Sequence, residues 1–166
     1  MSILHRCLAL SLALFALSGC ASLGTSPKGL ELPIEKAAVR FTLDVKEGGY
    51  RVIMAEDLKS WLDTGKKVVV ISAMPPVDDR NLGTIPGAAS AAMPRSEKEL
   101  APEDKERILR AAGNDKEGLI VVYCGFVSCR RSHICAKLLV ENGYKNVYRF
   151  PAGIVGWTEA GYPLAK

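Results

Sequence analysis

The segment Tyr123-Cys124-Gly125-Phe126-Val127-Ser128-Cys129-Arg130-Arg131-Ser132-His133 concentrates the reactive side chains of this 166-residue chain. A thiol at the end of an apolar run and just ahead of a helix meets backbone N–H groups and a helix N-terminus. Both favour the thiolate over the thiol, and two consecutive arginines add to the effect. The same cradle holds an oxyanion and stabilises negative charge that develops when a group is transferred to or from sulfur. Cys124 is therefore the candidate nucleophile, with the loop Gly125, Phe126, Val127, Ser128, Cys129, Arg130 and Arg131 around it as the candidate substrate-binding residues. Cys135 reads as a core residue, and His133 as an exposed cap-region residue with a lesser claim to tuning the thiolate. Cys-x4-Cys with one further cysteine and one histidine lacks the paired spacing of structural zinc sites, so no metal is expected and no cofactor is implied.

The elements that must position this loop follow from periodicity. Two runs, 67–72 and 119–123, are apolar on both faces, as strands buried on both sides require. Residues 55–65, 102–113 and 131–142 carry helical spacing with glycine or asparagine stops. A short strand is expected within 88–93, a last strand over 146–150 and a short closing helix over 154–160. Residues 38–45 alternate and are separated by Lys46-Glu47-Gly48-Gly49 from Tyr50-Arg51-Val52-Ile53, which predicts an antiparallel N-terminal β-hairpin. Strands alternating with helices give an α/β fold: a mostly parallel central sheet with helices on both faces. In such sheets the ligand crevice lies at the carboxyl ends of the strands, where Cys124 sits. Asp78-Asp79-Arg80 reads as a solvated loop, and Trp61 and Trp157 as core.

Composition narrows the function classes. With 22 Lys+Arg against 18 Asp+Glu and 48% hydrophobic residues, the chain has the content of one ordinary domain, and its scattered basic residues give no footprint for nucleic acid. His5-Arg6 followed by an apolar run to Leu17 has a secretory layout, too short to span a bilayer. Leu17-Ser18-Gly19-Cys20 resembles the bacterial lipobox. That resemblance implies a signal peptide over 1–19, a tether over 20–36 with lipidated Cys20, and a single domain over 37–166. It also implies an exported lipoprotein anchored to a membrane, with Ser22 favouring the periplasmic face of the outer membrane.

Four further motifs, in order, resemble the rhodanese family: Ile85-Pro86-Gly87-Ala88; Val121-Val122-Tyr123-Cys124 with Arg131-Ser132; Gly143-Tyr144-Lys145-Asn146-Val147-Tyr148; and Pro151-Ala152-Gly153-Ile154-Val155-Gly156-Trp157 with Gly161-Tyr162-Pro163. The resemblance implies a rhodanese-like fold and a sulfurtransferase. Cys124 would take the outer sulfur of a donor such as thiosulfate or polysulfide, hold it as a persulfide on the loop N–H groups, and release it to an acceptor thiol or cyanide. The partners implied are a small sulfur-containing substrate and a thiol acceptor, with the membrane reached through the lipid.

The sequence departs from the family in three places, one of them Thr84, which stands where the family commonly has histidine before Ile-Pro-Gly-Ala. Ser72-Ala73-Met74 stands where the family has Asp-x-Arg. Arg131-Ser132 arrives two residues later than in the usual sulfurtransferase loop, so that Cys124 to Arg130 reads Cys-x5-Arg. That spacing resembles the phosphatases and arsenate reductases that share the fold, which makes such an enzyme one alternative. A catalytically silent binding or sulfur-sensing module is another. Cys129 has three readings: a disulfide partner of Cys124, a resolver of its persulfide, or a spectator thiol.

Overall fold

The computed structural model describes residues 31–165, so Cys20 and the expected signal peptide lie outside the described residues. Among the described residues no helix is long and apolar enough to cross a membrane. Residues from Ala37 onward make one compact unit. It begins within helix α1 (Glu31–Gly48) and continues through β1 (Arg51–Val52), α2 (Ala55–Asp63), β2 (Val68–Ser72), α3 (Pro76–Leu82) and β3 (Ala89–Ser90). A single 3-10 turn (Glu97–Glu99), α4 (Pro102–Ala112), β4 (Leu119–Tyr123), α5 (Arg131–Glu141), β5 (Asn146–Phe150) and α6 (Gly153–Glu159) follow.

The five strands form one sheet in the order β1-β5-β4-β2-β3, and every pair in it is parallel. The β-branched runs of β2 and β4 are central because they carry apolar side chains on both faces. Ile71, Ile120 and Val122 point into one core with Ile108, Ile134 and Leu139. Val70, Val121 and Tyr123 point into the other with Leu58, Ile154 and Trp157. Helices therefore cover both faces, as the alternation of strands and helices in the sequence requires. Trp157 is fully buried and its indole N–H donates to the Pro163 carbonyl at 2.8 Å.

The expected N-terminal hairpin is not there. Residues 31–48 form one helix, and β1 runs parallel to β5. The alternation over 38–45 is also compatible with a helical face: Phe41, Asp44, Val45 and Gly48 fall at i, i+3, i+4 and i+7 and turn inward, while Val39 and Leu43 point out. Gly48-Gly49 ends the helix rather than turning a hairpin. Gly49 has φ +64°, and its N–H donates to the Val45 carbonyl at 3.1 Å, the left-handed stop that glycine permits without strain. Residues 31–36, expected to be irregular, belong to the same helix.

Helix α3 replaces the solvated loop expected at 78–80. Pro75-Pro76 starts it, in keeping with the preference of proline for a first helical turn. Asp79 then accepts from Ser72 Oγ at 2.7 Å and from Ser90 Oγ at 2.5 Å, tying together the ends of β2 and β3.

Candidate functional site

Cys124 is the first residue beyond β4, and the loop 124–130 leads directly into α5. The apolar run of β4 ends where Gly125 begins a stretch with no periodicity, and the helical spacing resumes at Arg131, so the loop is fixed at both ends by buried elements. Helix α6 holds it from the side. The Ile154 and Val155 N–H groups donate to the Cys124 and Gly125 carbonyls at 2.9 and 3.0 Å. This approach requires glycine at 153: φ is +62°, and a Cβ there would lie 2.2 Å from the Cys124 carbonyl oxygen.

A cavity of about 560 Å3 opens at the carboxyl ends of β2 and β4. Met74, Pro75 and Asp78 line one side, and Arg95 also contributes. Of the residues singled out in the sequence, Cys124, Gly125, Phe126, Ser128, Cys129, Arg130 and Arg131 all line it. Val127 does not: its side chain is exposed outside the cavity, and its carbonyl is bonded on the inner side of the loop.

The two arginines part company. Arg130 donates to Asp44 Oδ1 at 3.1 Å and lies 3.6 Å from Glu97, so its charge is already matched. The Arg131 Nε is buried with no hydrogen-bond partner. Burial, then the neighbouring Arg95 guanidinium, pushes the Arg131 pKa below its ordinary value. Arginine stays protonated regardless, so beside the paired Arg130 the cavity presents two further guanidinium groups, Arg95 and Arg131. An anion there would meet the Arg131 and Arg95 side chains that line the cavity, neither of which has a carboxylate partner among the described residues.

The Cys124 and Cys129 sulfurs are joined in a disulfide. Of the three readings of Cys129 the disulfide partner is the one realised, and Cys124, 3% exposed, is covered as a nucleophile until that bond opens. Cys135 is a free thiol sealed in the core, where burial pushes its pKa far up.

Beneath the loop lies a network that sequence reasoning missed. Arg149 in β5 is fully buried. Its Nη2 donates to the Val127 and Cys129 carbonyls, both at 3.0 Å, and its Nε donates to Ser132 Oγ at 3.0 Å. Nη1 donates to Tyr50 Oη at 3.2 Å and to Asp44 Oδ2 at 3.5 Å. One guanidinium thus fixes both the loop and the first turn of α5. The signal was an arginine flanked by apolar residues in a strand buried on both faces, a position where a charge must have partners. Arg95, in an irregular stretch, carried no such signal.

His133 is fully buried rather than exposed. The first turn of α5 is roofed there by α1, and Tyr50 Oη lies 2.9 Å from its Nδ1. Because Arg149 donates to the Tyr50 oxygen, the phenol proton is free to donate to Nδ1, which places the ring proton on Nε2. Burial is the main cause that lowers the His133 pKa; Asp44, Glu47 and Glu97 oppose it. Asp44, Glu47 and His133 bring potential ligand atoms within 4.8 Å of one another. Their carboxylates, however, are matched by Arg40, Arg130, Arg149 and Lys137, which leaves little negative charge for a cation. Tyr123, whose hydroxyl is pushed up to about 12 by burial, accepts from the Ile85 N–H at 3.2 Å. It thereby anchors the Ile-Pro-Gly-Ala turn, in which Ala88 N–H donates to the Ile85 carbonyl at 3.0 Å.

Comparison with known proteins decides the family. The model of the rhodanese-like domain matches residues 54–160. The chain belongs to the rhodanese-like domain family. Among solved structures, a rhodanese-related protein of Thermoplasma volcanium is similar at 26% identity and TM-score 0.53, covering 69% of this chain and 97% of that one. A thiosulfate sulfurtransferase of Pseudomonas aeruginosa is similar at 25% identity and TM-score 0.58. It covers 77% of this chain, which spans only 22% of that enzyme's length. A Rhodopseudomonas palustris protein described as a possible tyrosine phosphatase shares the fold at 20% identity and TM-score 0.51, with 84% of this chain and 96% of that one covered. No curated protein matches the sequence closely enough to count as a relative. Fold and family together support a role of the sulfurtransferase or rhodanese-domain type.

Proposed function

We propose that this rhodanese-like domain is a sulfurtransferase that carries sulfane sulfur as a persulfide on Cys124. The observation that carries the reading is the position of Cys124 on a loop that shares its cavity with the unpartnered Arg131 guanidinium and with Arg95. Once the disulfide is reduced, the Cys124 thiolate attacks the outer sulfur of thiosulfate or polysulfide, and the arginines hold the anionic remainder as it leaves. An acceptor thiolate or cyanide then takes the outer sulfur from the persulfide and returns Cys124 to the thiolate. Of the loop amides from Gly125 to Arg130, Cys129's donates to the Phe126 carbonyl. Among the described residues the other five donate to no backbone acceptor, and in this reading they hold the transferred sulfur.

The phosphatase or arsenate-reductase reading gains one observation, Asp78 in the cavity wall as a general-acid candidate. It loses another, since the arginine of Cys-x5-Arg, Arg130, is held by Asp44 and Glu97. The silent-module reading stands on the disulfide. Reduced protein is the test: after thiosulfate, mass spectrometry should find one added sulfur on the Cys124 peptide, and thiosulfate turnover should exceed that of an aryl phosphate. Aryl phosphate turnover alone would reverse the order, and neither reaction would leave the silent module. The export and lipid tether rest on the sequence of residues 1–22 only. Metabolic labelling with a fatty acid, abolished in Cys20→Ala, tests them.

A further inference from the structure

The structure holds Cys124 in the state that the transfer chemistry above does not use. A thiolate takes sulfur from an electrophilic donor such as thiosulfate, whereas the Cys124–Cys129 disulfide is itself an electrophile and reacts with thiolate-like nucleophiles. The sulfur species that can enter the closed loop is therefore of the opposite polarity to thiosulfate.

Three observations bear on which nucleophile that is. Both cysteines line the cavity together with Arg95 and Arg131, and neither arginine has a carboxylate partner among the described residues, so the site favours an anion. The backbone on either side of the bond is held independently of it. The Cys124 carbonyl accepts from Ile154 N–H at 2.9 Å, and Cys129 N–H donates to the Phe126 carbonyl at 2.9 Å. The Cys129 carbonyl accepts from Arg149 Nη2 at 3.0 Å. Opening the bond thus leaves both sulfurs on the same fixed loop. Finally, Cys135, the one other cysteine among the described residues, is sealed in the core and cannot divert the reaction.

We propose that the oxidised loop is charged by hydrosulfide, so that the domain oxidises sulfide to sulfane sulfur. Hydrosulfide attacks Cys124 Sγ. A bond forms between the incoming sulfur and Cys124, the Cys124–Cys129 bond breaks, and its electron pair leaves on Cys129 as thiolate, which takes the proton from the new perthiol. The sulfide sulfur is oxidised to the sulfane level and the disulfide is reduced by the same two electrons. An acceptor thiolate then removes the outer sulfur, and exchange with an external disulfide closes the resulting dithiol again. The inference rests on the reading of the Cys124 persulfide as carrier and adds a second way of loading it.

The test uses the full chain, oxidised, freed of excess oxidant and treated anaerobically with sodium sulfide. After alkylation, peptide mapping should find one added sulfur on Cys124 and one newly alkylated thiol on Cys129. Pre-reduced protein and Cys129→Ser should gain no sulfur from hydrosulfide. Arg131→Ala should slow charging of the oxidised protein about tenfold. Sulfur found on Cys129, no sulfur gained, or a mixed disulfide formed faster with an equal concentration of cysteine than the persulfide forms with hydrosulfide would each overturn the inference. A parallel arm, reduced protein with thiosulfate, reads the transferase proposal separately. Charging in that arm alone leaves the transferase and removes sulfide oxidation, and charging in the sulfide arm alone does the reverse.

Discussion

Adjacent residues of the same type have opposite environments in this loop, and a pair of substitutions separates them. Arg131, which lines the cavity and has no carboxylate partner among the described residues, is the group free to meet a substrate anion, and Arg130 is engaged with Asp44. Arg131→Ala should lower kcat/KM for thiosulfate by about a hundredfold, the loss typical of a single preorganised donor. Arg130→Ala should act mainly on stability, read by urea denaturation beside the kinetic assay. At the same scale His133 makes the stability of the protein depend on pH. Its folded pKa lies below the ordinary 6.5, so between those two values the unfolded chain binds a proton that the folded one does not. Stability is full above 6.5 and falls as the pH drops toward the folded value. His133→Gln should flatten that slope in urea midpoints measured between pH 7 and 5. The chemistry of Cys124 was legible because a thiol, its loop and two arginines are contiguous. Which arginine is free was not, since the carboxylate that decides it, Asp44, is 86 positions away in the chain.

Among the elements, β5 and α6 do more for the loop than their sequences announce. Arg149→Met would leave the Val127 and Cys129 carbonyls and Ser132 without their shared donor. Asp44 keeps Arg40 and Arg130, so the loss comes chiefly from the loop and should be about 3 kcal/mol by urea denaturation. Lysine at 149 would not restore it, because one ammonium cannot reproduce a planar fork that reaches five acceptors. Gly153→Ala drives a methyl into the Cys124 and Gly125 backbone at a positive φ. A destabilisation of about 2 kcal/mol is expected, with thiosulfate turnover falling further than stability because the loop itself must shift. The positions of β2, β4, β5, α2, α4 and α5 followed from periodicity and stop residues. α1 did not, because eight residues of its sequence satisfy period two and period 3.6 alike. What decides between them is the tertiary burial of Asp44, which accepts from Arg149 in β5, the strand beside β1.

For the molecule as a whole, the disulfide is a modest structural tie. It spans five positions, and closing so short a loop removes little freedom from the unfolded chain, about 2 kcal/mol. Reduction should lower the urea-derived stability by no more than that and leave the domain folded, so that redox effects on activity report chemistry at the loop rather than unfolding. The two-sided burial of β2 and β4 already implied an all-covered parallel sheet, and that part of the architecture could be read from composition along the chain. The strand order could not, since it depends on pairings between distant segments.

The margins of that sheet carry a consequence of their own. Both outer strands, β1 and β3, are two residues long, so neither offers a long row of unpaired backbone groups to template another chain. Even concentrated at a surface, copies of this domain lack the long ribbon borders through which β proteins coalesce into fibrils.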